Sequence, residues 1–508
     1  ATSQAYLRPK QQSRLHLRTL ERMSDSDGTT SGLVIASAVS AKQLSAQEAV
    51  ATCLDRIEAL NPRVNAFTAV HKDRALARAQ AVDQQVQSGQ QLPLAGVPFA
   101  VKNLFDIEDQ TTLAGSKINQ QNAVAAADAL MIQRIEAAGG VLVGALNMGE
   151  FAYDFTGENQ HYGDCRNPWN LAHITGGSSS GSGAALASGM VPLTLGSDTN
   201  GSIRVPSALC GTYGLKPTYG RLPRTGSYPF CDSLDHVGPM ARSVAELAAA
   251  YNVMQGFDAT DHVCVSRQPD LVDVQSIDGK TLRIGVLQGY FAPQEFDEAT
   301  QVVADCAKAL EAMGVAVDDC ELDLAEAGRS AAFLITNIEG ASLHYEKILQ
   351  RADDFDPDTR DRFIAGSLLP AAWYARAQRV RRQYAEEAAE LFRRFDVLLA
   401  PATPIRAPLR GQKTMLMGGS EVNVRANLGY FTQPISCIGL PVVCAPVMQS
   451  QFGTPQTAQA VSVSAATPSM GVQIIAAPWR EDLCFKVASL LADASITRSE
   501  VAPVSTQD

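Results

Sequence analysis

Apolar positions recur at helical spacing over 44–60 and again over 73–88, and this pattern predicts two amphipathic helices. Continuous apolar runs at 97–102 and 139–146 read as strands, with a helix near 127–138 between them. That alternation predicts an α/β fold, a sheet covered by helices. Further along, Leu282-Arg283-Ile284-Gly285-Val286-Leu287 reads as a strand, followed by a helix over 296–313 and a strand near Val315-Ala316-Val317. Residues 325–395, rich in Ala, Arg and Glu, read as a mostly helical insert. A buried strand at Val397-Leu398-Leu399-Ala400 then leads into Pro401-Ala402-Thr403-Pro404 and loops over 405–430. No internal repeat or low-complexity linker interrupts the pattern.

Composition narrows the function classes. At 508 residues and 46% hydrophobic, the chain can bury a large core. A formal net charge of -11 gives no electrostatic footprint for nucleic acid or an anionic membrane. No apolar run is long enough to span a bilayer, and there is no secretory pattern. Ten cysteines occur without a C-x-x-C pair or clustered His/Cys spacing, so neither a metal site nor a disulfide framework is expected. Scattered free thiols point to a reducing, cytoplasmic setting. Residues 1–22 carry Arg8, Lys10, Arg14, Arg18 and Arg22 against only Glu21. Such an acid-poor leader has the look of a transit peptide, but a vector remnant or misassigned start ahead of Met23 is the more economical reading. The expected organisation is a leader over 1–28, one domain over 29–495 and a flexible tail over 496–508.

Three segments carry candidate chemistry. Gly176-Gly177-Ser178-Ser179-Ser180-Gly181-Ser182-Gly183 precedes Asp198-Thr199-Asn200-Gly201-Ser202-Ile203-Arg204, and upstream stands Ala100-Val101-Lys102-Asn103. Together they offer a serine nucleophile, a second hydroxyl to relay its proton and a lysine to receive it. Gly177-Ser178-Ser179-Ser180-Gly181 also fits G-x-S-x-G, which would nominate Ser179 with His236, His262 or His344 downstream. That motif needs an apolar strand running into the turn, and the turn-forming Asn167-Pro168-Trp169-Asn170 precedes it instead. A phosphate cradle lacks the lysine of its pattern. Serine attack needs a base, and a lysine serves only when neutral, so its pKa must fall from about 10.4 toward 7 to 8 by desolvation. Lys102 ends an apolar strand, which suits that demand. Backbone amides of Thr199, Asn200, Gly201 and Ser202 can form an oxyanion hole, with Gly201 allowing close approach and Asp198 and Arg204 bracing the loop as an ion pair.

These segments resemble the amidase signature enzymes, and the similarity extends through Leu94-Ala95-Gly96-Val97-Pro98, Asn147-Met148-Gly149-Glu150-Phe151, Cys210-Gly211-Thr212-Tyr213-Gly214-Leu215-Lys216-Pro217-Thr218 and Ser233-Leu234-Asp235-His236-Val237-Gly238-Pro239. The resemblance implies a mixed central β-sheet flanked by α-helices on both sides, with a signature core over about 95–240. It implies Ser202 as nucleophile, Ser178 as bridging serine after a cis peptide, Lys102 as base, and no metal or organic cofactor. Most family members have Gly-Gly-Ser where this chain has Asn200-Gly201-Ser202, and Lys-Asp where it has Lys102-Asn103. Losing the aspartate makes a neutral lysine easier to reach.

Those departures, with Tyr153-Asp154-Phe155-Thr156-Gly157-Glu158-Asn159, Arg425-Ala426-Asn427, Thr432-Gln433-Pro434-Ile435-Ser436 and Ala476-Ala477-Pro478-Trp479-Arg480-Glu481-Asp482, resemble the 1-carboxybiuret hydrolase branch. That branch implies ammonia release from a small anionic urea-type substrate, with a small accessory partner in a homo- or hetero-oligomer. A substrate carboxylate calls for a guanidinium; Arg425, in the strand-like Val422-Asn423-Val424 context, is the leading candidate, and Tyr153 a candidate pocket residue. The competing expectations are the glutamine-dependent transamidase component of a glutamyl/aspartyl-tRNA amidotransferase, a broad aryl or aliphatic amidase, and a catalytically silent binding protein.

Overall fold

The computed structural model describes residues 31–273, 276–447 and 470–504, so the expected leader lies outside the described residues. The strands in chain order are β1 (Phe67–Val70), β2 (Pro98–Lys102), β3 (Val141–Leu146), β4 (Leu193–Asp198), β5 (Tyr213–Lys216), β6 (His236–Ala241), β7 (Arg283–Leu287), β8 (Ala316–Cys320), β9 (Val397–Pro401), β10 (Thr414–Met417), β11 (Ser420–Asn423), β12 (Val442–Val447) and β13 (Met470–Ala476). Eleven form one mixed sheet in the order β1-β3-β2-β4-β6-β5-β12-β13-β9-β7-β8, while β10 and β11 pair as a separate hairpin. β2 lies parallel between β3 and β4. Its residues are all buried, as are those of β3, β4, β9, β12 and β13. Strands buried on both faces read as continuous apolar runs, which is why β2, β3 and β9 stand out in the sequence. β8 at the sheet edge buries only Cys320 and is correspondingly faint.

Alternating side chains of β2 and β3 feed two cores. Phe99, Val101, Leu142 and Ala145 point into the larger one, with Leu247, Tyr251, Phe485 and Leu491 from helices Val244–Met254 and Glu481–Asp493. Ala100, Val141, Val143 and Leu146 point into the other, with Val50, Leu54, Ile57 and Val82 from helices Ala46–Val64 and Lys72–Gln87. The sheet is thus flanked by helices on both sides. Helix Ala46–Val64 starts at a capping box, in which the Ser45 hydroxyl accepts from Glu48 N–H and the Glu48 carboxylate accepts from Ser45 N–H. The insert forms three helices, Ala325–Arg351, Pro357–Ser367 and Ala371–Leu391.

Two expectations change. The strand at Val422 ends at Asn423, whose side chain accepts from Ala426 N–H and starts a helical turn, Val424–Asn427, that carries Arg425. The described part of the tail is docked: Thr497 bonds to Tyr213 Oη at 3.0 Å, and Ala502 N–H donates to Ala187 O at 2.7 Å. Both residues are buried, so their apolar and polar contacts with the domain hold what composition alone marks as tail.

Candidate active site

Lys102 is the last residue of β2, and Ser197 and Asp198 end the parallel neighbour β4, so the site forms beyond the carboxyl ends of adjacent strands. Lys102 is fully buried. Its Nζ lies 2.6 Å from Ser178 Oγ and 2.9 Å from Ser197 Oγ. Burial pushes the amine down to about 7, against the pull of Asp198, Asp235 and Asp154. The neutral amine that a base requires is therefore brought within reach near neutral pH. Ser178 follows a cis Gly177–Ser178 peptide just ahead of helix Ser180–Ala187, whose small residues are all buried.

Ser202 sits at the end of the loop joining β4 to helix Arg204–Cys210. The Ser178 and Ser202 segments are tied by Ser179 N–H donating to Ser202 O at 3.3 Å, and the Ser178 and Ser202 hydroxyls are not bonded to each other in this structure. Ser202 lines a narrow cleft with Tyr153, Asn200, Thr336, Asn337 and Arg362. No acceptor among the described residues takes the backbone N–H of Thr199, Asn200, Gly201 or Ser202, so these amides are free to hold an oxyanion. Thr199 Oγ1 donates to Asp235 at 2.7 Å, and Thr432 Oγ1 donates to Asn200 O at 2.7 Å. Gly201 has φ +141, and a Cβ there would collide with Thr432 Oγ1.

Beneath the loop, Arg204 forms a two-pronged pair with Asp198 at 3.0 Å on each arm, both side chains fully buried. Burial alone would raise the Asp198 carboxyl, but Arg204 holds it well below the usual carboxylate range. Asp198 also accepts from Ile203 N–H, and Arg204 reaches Thr432 O and Gln473 Oε1. This is a buried brace rather than a surface pair, linking the 199–202 loop to β13 and to Thr432.

A second buried lysine, Lys216, is also pushed down to about 7 by burial and by Arg204. It faces Pro217 O at 3.1 Å and His236 Nε2 at 3.2 Å, away from the serines. Ser179, the nucleophile of the alternative G-x-S-x-G reading, is turned inward, with its Oγ donating to Ser197 O at 3.2 Å and accepting from Ser197 N–H at 3.3 Å.

Of the two residues considered for substrate contact, Tyr153 lines the cleft and its hydroxyl donates to Asn337 Oδ1. Arg425 lies in a neighbouring vestibule, with its guanidinium 2.9 Å from Asp154, 3.2 Å from Glu158 and 3.2 Å from Asp358. Its charge is already compensated. Arg362, on helix Pro357–Ser367, lines both the cleft and the vestibule. Its guanidinium stacks 3.9 Å from the centre of the Tyr153 ring and donates to Tyr153 O at 3.0 Å. It has no carboxylate partner among the described residues. Arg362, Ser197, Asp235 and Thr336 were not singled out from sequence.

The fold and these segments define an amidase. Residues 48–485 match the amidase family model, and the chain belongs to the amidase signature family, hydrolases of carbon–nitrogen bonds other than peptide bonds. It is 49% identical to AtzE, a 1-carboxybiuret hydrolase subunit of Pseudomonas sp. (strain ADP), over 91% of this chain and 97% of that protein. It is 34% identical to a glutamyl-tRNA(Gln) amidotransferase subunit of Acinetobacter baumannii (strain AYE), over 81% and 88%. A chain of a solved vestigial protein complex that reveals the evolutionary origins of an s-triazine catabolic enzyme superposes with a TM-score of 0.86 at 48% identity, over 93% of this chain and 100% of that one. The substrate complex of 6-aminohexanoate cyclic dimer hydrolase superposes at 0.80 with 26% identity, over 94% and 99%. Among the described residues no helix is long and apolar enough to cross a membrane.

Proposed function

We propose that this protein releases ammonia from a small anionic urea-type substrate, as a 1-carboxybiuret hydrolase, through an acyl-enzyme on Ser202. The observation that carries the substrate class is Arg362, a cation without a carboxylate partner among the described residues, in the same cleft as Ser202. The likeness to AtzE at 49% identity supports the same reading.

In the first half-reaction the Ser202 oxygen attacks the terminal amide carbon. Its proton passes to the Ser178 oxygen, while the Ser178 proton passes to neutral Lys102 Nζ. The amides of residues 199–202 hold the negative oxygen. As the C–N bond breaks, the proton returns through Ser178 to the departing nitrogen and ammonia leaves. Water then attacks the acyl carbon by the same relay, releasing the acid and restoring Ser202. The short Lys102–Ser178 distance and the depressed lysine support the relay.

The test measures ammonia release from carboxybiuret, biuret, glutamine and an aryl amide, with and without any small co-encoded partner protein. Preference for carboxybiuret is expected, with loss of turnover and of covalent adduct in Ser202→Ala. Preference for glutamine would move the protein to the amidotransferase reading, and preference for the aryl amide to a broad amidase. Full activity in Ser202→Ala would overturn the nucleophile.

A further inference from the structure

Asn200 occupies a place where a backbone amide is all the oxyanion chemistry requires, so its side chain calls for a separate account. It is 7% exposed, lines the cleft beside Ser202, and its Oδ1 is buried with no hydrogen-bond partner among the described residues. A buried carbonyl oxygen without a donor is costly. A ligand N–H that reaches it recovers the loss.

The direction of the amide is set by its bond to the insert helix Ala325–Arg351. Asn200 Nδ2 donates to Thr336 Oγ1 at 2.7 Å. Thr336 and Cys231 both belong to the surroundings of this amide, and Cys231 Sγ donates to Glu339 Oε2 at 3.2 Å. With Nδ2 engaged by Thr336, the amide has its donor side satisfied and its acceptor side open. That leaves Oδ1, not Nδ2, as the unpaired atom of an amide whose residue lines the cleft. The backbone cannot swing to compensate, because Asn200 O is held by Thr432 Oγ1.

We infer that Asn200 is a specificity-determining residue, whose Oδ1 accepts a hydrogen bond from the N–H on the acyl side of the scissile carbonyl. A urea-type substrate carries N–H there, whereas a carboxamide carries CH2. The site would thereby favour ureas over isosteric carboxamides by leaving its acceptor unpaired with the wrong one. The inference rests on the urea-type reading above.

The probes are ureidoacetate and succinamate, two stable anionic amides that differ only by NH or CH2 at that position. Both release ammonia, so the ratio of their kcat/KM values in a variant, divided by the ratio in the native enzyme, cancels their intrinsic reactivity. In Asn200→Ala this quotient should fall on the order of 10-fold to 100-fold, the worth of one buried hydrogen bond. Asn200→Asp keeps an acceptor of the same shape, so its quotient should stay near one while both rates drop through repulsion of the anionic probes. If Asn200→Ala does not fold, Thr336→Val, which frees the amide to rotate, carries the test with the same expected fall. An unchanged quotient in the alanine variant, or an equal fall in alanine and aspartate variants, would overturn the inference. Failure of native enzyme to release ammonia from carboxybiuret would instead overturn the substrate reading, so the two failures are told apart.

Discussion

Replacing Lys102 by methionine keeps an unbranched side chain one atom shorter and removes its charge, and the consequence for stability depends on pH in a way that tests the depressed amine directly. The folded protein holds Lys102 near 7, against an ordinary lysine near 10.5. Below pH 7 the native state therefore carries a charge it disfavours, while the unfolded chain carries the same charge in water. That penalty is full below about pH 7, declines as pH rises, and is gone above the unfolded value, at about 5 kcal/mol in all for the whole shift. The methionine variant escapes it. The substitution also strips a partner from the Ser178 and Ser197 hydroxyls, a cost of roughly 1–3 kcal/mol each that does not vary with pH in this range. The two contributions nearly offset at neutral pH, so the decisive quantity is the slope. Urea unfolding of native protein and variant should show the variant's relative stability falling by roughly 2–3 kcal/mol between pH 6.5 and 9, as the native lysine sheds its proton. Lys216 and His236 are present in both proteins and cancel in the difference. A difference that stays flat across this range would refute the buried, depressed lysine, and with it the base assigned to the relay.

Activity should rise with pH through about 7 as Lys102 becomes neutral; Asn103→Asp, beside it, should move that limb to higher pH by on the order of one unit, read from kcat/KM profiles. Arg362→Gln should raise KM for carboxybiuret on the order of 10-fold to 100-fold and leave biuret little changed; equal effects on both would remove Arg362 from substrate binding. Asp198→Asn leaves Arg204 buried without its counter-charge and should cost about 3–5 kcal/mol in denaturant unfolding, where a surface pair would cost less than about 1. Gly201→Ala, with φ +141 and Thr432 Oγ1 in the way, should lower kcat more than it raises KM, since it displaces the oxyanion amides.

What the sequence revealed and what it hid divide along the reach of the interactions involved. The strand ending in Lys102 is legible because every residue of β2 is buried, so its apolar run needs no knowledge of its partners. Ser178 and Ser202 are legible because glycine and serine cluster where backbone must pass close to substrate. The hidden residues are those whose role depends on docking. Arg362 is one of several arginines in the helical insert, and only the seating of helix Pro357–Ser367 over the carboxyl end of the sheet brings it to the cleft. Arg425 drew notice from its neighbours along the chain, yet Asp154, Glu158 and Asp358 reach it from two other parts of the chain and occupy its charge. Asn200 lies between these cases. Its departure from glycine is visible in the sequence, but the bond to Thr336 that engages its nitrogen and leaves its oxygen unpaired joins residues far apart in the chain. A polar substitution in a signature loop therefore signals altered specificity, and its sense, donor or acceptor, is decided by the far side of the amide.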